Sequence, residues 1–160
     1  MFKIKLLILL LSSVFILSCS ADQKINQVKL SVGYIGGEYD GLLLHNQLRS
    51  HLNNLGMLDE KSKYQIQASI SHSSNVFVTN IDNTSDREKI KSFLDLKIYN
   101  KDTECYSYTY SDNISQFYIL APSDSFGSNK IAVQKIKFEN TEYFVKDFIN
   151  DLTKEKLICD

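Results

Sequence analysis

The spacing of apolar residues changes period along this chain, and the change limits the folds that the chain can adopt. The stretch "QVKLSVGYI" (27–35) alternates apolar and polar residues, which is typical of a half-buried strand. In "YDGLLLHNQLRSHLNNLGM" (39–57), leucines at spacings of 4, 4 and 3 form the stripe of an amphipathic helix, ending at Leu55. Asp40 suits the start of that helix and Gly56 its end. A strand followed by a helix is therefore predicted.

Three further segments return to the alternating pattern of strands. The stretch "KYQIQASISH" (63–72) alternates, and "NVFVTNI" (75–81) continues it beyond a polar bend. In "REKIKSFLDLKIYN" (87–100), four aliphatic side chains share one face. The stretch "TECYSYTYS" (103–111) follows a turn and alternates tyrosine with polar residues. Together with the first strand, these segments predict a sheet of four strands.

A second amphipathic helix is predicted towards the C-terminal end. The stretch "KIAVQKIKFENTEYFVKDFINDLTKEK" (130–156) carries a stripe at a constant spacing of four, whereas 112–129 indicates a loop with an apolar middle. The resulting order, β-α-β-β-β-α, predicts an α+β fold with a mostly antiparallel four-stranded sheet. Both helices pack on one face of that sheet, because both stripes must be buried. The stripe of the second helix consists of Ile136, Asn140, Phe144, Phe148 and Leu152.

The N-terminal segment predicts export. Two lysines precede 12 residues without charge, "LLILLLSSVFIL" (6–17), which match the n-region and h-region of a secretory signal. At ~1.5 Å per helical residue this run spans roughly 18 Å, too short for the ~30 Å hydrocarbon core of a bilayer. The residues "ILSC" (16–19) resemble the lipobox of bacterial lipoproteins. That resemblance implies that Cys19 receives a diacylglycerol, becomes the new N-terminus after cleavage and is acylated there.

The lipobox divides the chain into three parts. Residues 1–18 are the predicted signal, 19–26 a lipidated tether and 27–160 a single domain, so cleavage leaves 142 residues. Several acyl chains, at ~0.8 kcal/mol per buried CH₂, hold such a domain stably at a membrane. Ser20 stands where aspartate marks inner-membrane retention in enteric-type bacteria, and this favours the outer membrane. An ordinary cleavage site beside a chance cysteine is the alternative.

Charge and motifs argue against several classes of function. Residues 1–18 hold two lysines and no acid, so cleavage takes the formal net charge from −1 to −3, which argues against nucleic-acid binding. The chain has no nucleophile elbow, P-loop or metalloprotease motif, and we expect neither an enzyme nor a cofactor. The three histidines, His45, His51 and His72, are predicted to lie on the surface. No metal site is predicted, because a spacing of 6 puts His45 and His51 on different helix faces.

Two cysteines remain in addition to Cys19. Cys105 and Cys159 are 54 positions apart, which fits no C-x-x-C zinc or redox motif. In an oxidising periplasm the two thiols can pair as a disulfide. Two unpaired thiols are the equally open alternative.

Two groups of side chains are candidates for binding. Arg87, Lys89 and Lys91, with Lys97 beyond them, share one face of a predicted strand with aromatic residues, and such clusters recognise lipid phosphates. The alternative is an ordinary sheet face whose charges oppose aggregation. Tyrosines 106, 108 and 110 are predicted to lie on one side of the last strand as a partner interface. A packed sheet face explains this stripe of Tyr106, Tyr108 and Tyr110 equally well.

The order and spacing of these segments resemble the LptE family, small outer-membrane lipoproteins that partner the LptD barrel in lipopolysaccharide assembly. The resemblance spans nearly the whole chain and continues through a tyrosine-rich strand and a serine-bearing loop. It rests on Cys19, "VKLSVGYI" (28–35), "LLLHNQLRSHL" (42–52), "YQIQASI" (64–70), "SDREKIKSFLDLKIYN" (85–100) and "AVQKIKFENTEYFVKDFINDL" (132–152).

The resemblance implies a location, two partners and a role. The protein would be lipid-anchored in the outer membrane, facing the periplasm or lying within a barrel lumen. It would bind an LptD-like β-barrel and help deliver lipopolysaccharide to the cell surface. Arg87 and Lys89 occupy the place in the strand order where family members are thought to touch the lipid. The alternatives are an independent periplasmic ligand-binding or adhesion lipoprotein without a barrel partner and, more remotely, a hydrolase without a recognisable motif.

Overall fold

The computed structural model describes residues 28–78, 85–119 and 126–159. The predicted signal, the tether and Cys19 lie outside these residues, as does Ser20. Within them the order β-α-β-β-β-α is confirmed. The elements are β1 (Ser31–Gly36), α1 (Glu38–Asn54), β2 (Tyr64–Val78), β3 (Ser85–Asn100), β4 (Cys105–Ile119) and α2 (Phe126–Leu152).

The four strands form one sheet in the order β1-β2-β3-β4. β1 is parallel to β2 because α1 carries the chain back across the sheet between them. The β2–β3 and β3–β4 pairs are antiparallel and extend from Tyr64↔Asn100 and Asn100↔Cys105 at one end to Phe77↔Arg87 and Arg87↔Ile119 at the other. The sheet is therefore mostly antiparallel, and the predicted α+β class is confirmed.

The core lies between one face of the sheet and the two helices. Alternate residues of β2 and β3 point into the core, and the apolar stripes of α1 and α2 pack against them. Phe144 and Phe148 of α2 are fully buried, as are three of the four predicted leucines of α1. Leu55 is instead 44% exposed, because α1 ends at Asn54 and Leu55 is its C-cap. The buried branched aliphatic residues of this core are Leu30, Leu44, Leu48, Leu52, Ile66, Ile70, Leu94, Leu96, Ile98, Val145, Ile149 and Leu152.

Some predicted boundaries differ from those of the structure. β4 continues to Ile119, and α2 begins at Phe126, in a stretch predicted to be a loop. β4 extends because each of its residues from 109 to 119 pairs with β3. At α1 the N-cap is Gly37 rather than the predicted Asp40. Gly37 has a φ of 114°, a conformation that favours glycine, and a Cβ there would collide with the carbonyl oxygen of Ile70.

The two ends of the sheet hold different parts of the chain. At the basal end the chain enters beside the C-terminal end of α1, where Leu30 N–H donates to the Met57 carbonyl at 2.9 Å. The C-terminal end of α2 and the start of β4 lie at this end too. The distal end holds the start of α2 and the far ends of the long strands, whereas α1 begins beside Ile70, about midway along β2. The 16 residues of β3 separate the two ends by about 50 Å.

Candidate functional site

The sheet face turned away from the helices, here called the open face, is covered by no element among the residues described. Its side chains on β3 are the odd-numbered ones, because the even-numbered residues from Ile90 to Ile98 point into the core. The predicted basic residues therefore share the open face. We call them the basic row: Arg87, Lys89, Lys91 and Lys97.

Aromatic rings lie beside two members of the basic row. The Nζ of Lys89 is 5.4 Å from the ring centroid of Phe117, and the Nζ of Lys97 is 5.6 Å from that of Tyr106. Such cation–π contacts hold a charge in place and contribute about 0.5–1 kcal/mol at exposed sites. Asp95 lies on the same face, 4.0 Å from Lys97. Asp95 thus offsets part of the charge of Lys97.

Large apolar side chains are exposed on the same surface. Phe93 is 42% exposed, Phe117 59% and Ile119 77%. Strand pairing places Phe117 opposite Lys89 and Ile119 opposite Arg87, so the distal part of the open face combines cations with apolar area. The residues of β2 and β4 between these groups carry neutral hydroxyl and amide side chains: Ser71, Ser73, Asn75, Ser111, Asn113 and Ser115.

The prediction that Tyr106, Tyr108 and Tyr110 share one side is wrong. The register shifts between Ile98↔Tyr108 and Tyr99↔Tyr106, so Ser107 is an extra residue in β4. Such a β-bulge turns the residues on its two sides to opposite faces. Tyr106 lies on the open face, with its ring centroid 5.4 Å from that of Tyr99. Its hydroxyl donates to Gln67 Oε1 at 3.3 Å.

Tyr108 and Tyr110 face the helices. The Tyr108 hydroxyl donates to Asp151 at 2.5 Å and that of Tyr110 to Asp147 at 2.8 Å. Both rings also contact Phe148, with centroids 6.1 and 5.8 Å away. The pKa of each tyrosine lies far above its usual value. Burial is the largest cause, and the hydrogen bond to the carboxylate is the second. These two tyrosines tie β4 to α2 and do not belong to the open face; Tyr110 is buried and Tyr108 half-buried.

A disulfide joins Cys105 to Cys159 at the basal end, with the two Cα atoms 5.9 Å apart. It fastens the segment after α2 to the first residue of β4. The Thr103 hydroxyl lies 3.1 Å from the sulfur of Cys159. The bond lies at the opposite edge of the sheet from β1.

A cleft at the distal end, here called the distal cleft, lies on the helix side of the sheet. Its volume is about 690 Å³, within the ~300–1,000 Å³ range of small-molecule sites. One helical face of α1, one helical face of α2 and the ends of β3 and β4 line it. The lining residues are Tyr39, Asp40, Leu43, Glu88, Tyr118, Asn129, Lys130, Val133, Gln134, Lys137 and Phe138.

Both carboxylates of the distal cleft have partners: Asp40 an ion pair and Glu88 a hydrogen bond. Lys137 Nζ lies 3.1 Å from Asp40 Oδ2 and so bridges α2 to α1. Glu88 accepts a hydrogen bond from the Tyr118 hydroxyl. Burial, followed by this hydrogen bond, raises the pKa of Tyr118 to about 12. The hydroxyl therefore stays protonated and continues to donate at physiological pH.

A buried polar network lies next to the distal cleft. His72 Nδ1 is 2.6 Å from Ser92 Oγ, which also accepts a hydrogen bond from Asn140 Nδ2 at 2.8 Å. Gln116 donates to Asn140 Oδ1 at 2.6 Å. The prediction that His72 lies on the surface is thus wrong, because its imidazole belongs to this network. Burial lowers its pKa, while Asp40 opposes that shift and Lys137 adds to it.

Sequence reasoning identified the basic row but missed the distal cleft. The available signal was Asn140, a polar residue in an otherwise apolar stripe, which marks the level of the polar network. Among residues 28–78, 85–119 and 126–159, no group of three or more His, Cys, Asp or Glu side chains is placed to hold a metal ion. No helix in that part of the chain is both long and apolar enough to cross a bilayer.

Solved structures of bacterial lipoproteins share this architecture. Rare lipoprotein B from Shewanella oneidensis is similar with a TM-score of 0.60 at 10% identity, over 79% of this chain and 97% of that one. The minor lipoprotein from Acinetobacter baumannii is similar with a TM-score of 0.56 at 12% identity, over 84% of this chain and 99% of that one. A lipoprotein B from Nitrosomonas europaea is similar with a TM-score of 0.56 at 10% identity, over 79% of this chain and 82% of that one.

At the level of sequence, no protein-family model and no curated protein matches the chain. Identities of 10 to 12% mean that the likeness concerns the fold alone. The chain therefore has the fold of these bacterial lipoproteins.

Proposed function

We propose that the protein is an outer-membrane lipoprotein that partners an LptD-like β-barrel and assists lipopolysaccharide assembly at the cell surface. The role is non-enzymatic: it consists of binding a protein and a lipid. The observation that carries the proposal is the open face, which combines the basic row with exposed aromatic and aliphatic side chains. The lipobox and the lipoprotein fold are consistent with it.

The composition of the open face suits a surface that a partner covers. Single exposed apolar residues are ordinary, but several on one surface indicate an interaction site. Phe93, Tyr106 and Phe117 are each about half exposed, and Ile119 is more so. Hydroxyl and amide groups between them can form hydrogen bonds across an interface without burying further charge. The apolar stripes of α1 and α2, by contrast, already pack in the core.

The basic row adds recognition of anions to this surface. A guanidinium group binds a phosphate in a bidentate manner, and an ammonium group binds it as a point charge. Ile119 opposite Arg87 and Phe117 opposite Lys89 give each cation an apolar neighbour. A surface with this pairing suits an anionic lipid, whose phosphates and hydrocarbon lie side by side.

The position of the tether is compatible with a partner in the same membrane. Residues 19–26 span at most ~30 Å when extended, and the domain begins at the basal end. The open face then extends about 50 Å from that end along β3. A barrel anchored in the same bilayer lies within reach of this face.

Reversing the charge of the distal part of the basic row tests the proposal. We expect Arg87→Glu with Lys89→Glu to weaken binding of purified lipopolysaccharide at least tenfold, because two cations become anions facing its phosphates. The thermal midpoint should stay unchanged, since both side chains lie outside the core. Surface plasmon resonance on immobilised lipopolysaccharide measures the affinity.

The matched control is Lys154→Glu with Lys156→Glu, which makes the same change in net charge at exposed positions after α2. Affinity in this control should remain within twofold of the wild type. Equal binding by the wild type and the Arg87/Lys89 variant would contradict the role of the basic row. Equal losses in both double variants would show that net charge alone governs binding.

An independent periplasmic ligand-binding lipoprotein is the second candidate. The distal cleft favours it, because a cleft of this volume requires no barrel partner for binding. Depletion of the protein distinguishes the two. Lipopolysaccharide retained at the inner membrane supports the barrel-associated role, and normal surface lipid with full viability supports the second candidate.

A further inference from the structure

We propose that the distal cleft binds the hydrocarbon chain of a single-chain amphiphile with an anionic headgroup. This site is distinct from the open face, because alternation along β3 points Glu88 to the cleft and Arg87 and Lys89 to the other side of the sheet. The inference therefore does not depend on the proposed lipopolysaccharide-binding role of the basic row.

The walls of the distal cleft are mainly apolar. Leu43 of α1 faces Val133 and Phe138 of α2, and the rings of Tyr39 and Tyr118 complete the lining. Tyr39 is 76% exposed and Phe138 47%, so much of their apolar area remains in contact with water. Removing that apolar area from water favours binding of a ligand that covers it. A hydrocarbon chain would supply the missing contacts.

Lys130 is the cation of the cleft that can bind an anionic headgroup. Asp40 forms an ion pair with Lys137, and Glu88 accepts a hydrogen bond from the Tyr118 hydroxyl. Neither carboxylate therefore lacks a partner. Lys130 lines the cleft and makes no ion pair with any residue that the structure describes. The first turn of the 27-residue α2 contains no acidic residue, and the positive end of the helix dipole adds to the charge of Lys130 there.

These features fix the orientation of the ligand. Lys130 and Phe138, which both line the cleft, are eight residues apart, or about 12 Å along the axis of α2. The headgroup then lies beside Lys130 and the first turn of α2, and the tail extends between Leu43 and Phe138. One chain fills a cleft between two helices, so a single-chain amphiphile is the expected occupant.

The experiment uses the mature chain, residues 19–160 with Cys19→Ser, exported behind an ordinary cleavable signal and purified without detergent. Isothermal titration with monomeric dodecyl phosphate should show one site per chain. Val133→Trp places an indole in the cleft and should weaken binding at least tenfold. Ile131→Trp is the control on the same helix: Ile131 is 67% exposed and lies outside the cleft lining, and affinity should stay within twofold.

A second pair of variants tests the headgroup. Lys130→Glu should weaken the binding of dodecyl phosphate at least fivefold. It should leave the affinity for dodecyl maltoside, a neutral amphiphile, unchanged. Lys135→Glu is the control: its side chain is 74% exposed, pairs with Glu139 and does not line the cleft. Inorganic phosphate alone should not bind measurably, because it lacks the tail.

The outcomes separate this inference from the proposed function. The Arg87→Glu, Lys89→Glu variant should bind dodecyl phosphate normally even where it loses lipopolysaccharide. Wild-type affinity in Val133→Trp, with its fold confirmed by circular dichroism, would overturn the cleft as the site. Binding of inorganic phosphate as tight as that of dodecyl phosphate would overturn the requirement for a hydrocarbon chain.

Discussion

The β-bulge at Ser107 predicts that two neighbouring tyrosines of β4 contribute very unequally to stability. Replacing Tyr110 or Tyr106 by alanine removes the same atoms from residues four positions apart. Without the bulge, the two side chains would occupy the same face of the sheet. With the bulge, Tyr110 lies under α2 and Tyr106 on the open face.

The expected loss follows from the contacts of each ring. Tyr110 is 8% exposed, its ring contacts Phe148, and its hydroxyl bonds Asp147. Removing a buried aromatic ring costs about 3–5 kcal/mol. Tyr106 is 52% exposed and makes one ring contact and one exposed hydrogen bond, so its removal should cost about 1 kcal/mol. We therefore expect Tyr110→Ala to lose several times as much free energy of unfolding as Tyr106→Ala.

Urea unfolding of the mature chain followed by circular dichroism measures both losses. For a domain of this size, 1 kcal/mol corresponds to about 3–5 °C in the thermal midpoint, so Tyr110→Ala should lower it by at least 10 °C. Tyr110→Phe keeps the ring and should lose only about 1–2 kcal/mol, the hydrogen bond to a charged group that retains some solvent contact. Equal losses for Tyr106→Ala and Tyr110→Ala would refute the bulge and the burial of Tyr110.

Two further predictions concern the basal end and the polar network. Cys159→Ser with Cys105→Ser opens a covalent loop of 54 positions, and loop-closure entropy predicts that the free energy of unfolding falls by up to about 4 kcal/mol. Urea unfolding against the oxidised wild type measures this loss. An unchanged urea midpoint would show that the disulfide adds no stability. Burial lowers the pKa of His72 below 6.5, so its contribution to stability is present above pH 6.5 and is lost as pH falls below it. The free energy of unfolding should therefore fall between pH 7 and 5 more steeply in the wild type than in His72→Gln, and parallel pH profiles would contradict this assignment.

The architecture could be predicted from the sequence because hydrophobic period is a strong signal over long elements. The leucine stripe of α1 and the spacing of four in α2 identified both helices, and the alternation from Ile90 to Ile98 identified the core face of β3. The same alternation correctly placed Arg87, Lys89 and Lys91 together on the opposite face. Whether they bind lipid stays a prediction.

The errors arose where one residue changed the register or where distant elements meet. Ser107 is small and polar like its neighbours, so nothing in "CYSYTYS" (105–111) distinguishes a bulge residue from an ordinary strand residue. The extension of β4 depends on its pairing with β3, not on its own alternation. The distal cleft depends on how α1 and α2 approach each other, for which Asp40 and Lys137, 97 positions apart, carry no local signal.

Site-specific photo-crosslinking in intact cells tests the central proposal, a barrel partner on the open face, most directly. A photoreactive amino acid at Ser115, an exposed position opposite Lys91, should crosslink to an outer-membrane β-barrel protein identified by mass spectrometry. The same probe at Lys135, on the solvent side of α2, should give no such product. A Ser115 probe that yields no crosslinked barrel, at normal expression and lipidation, would contradict the account.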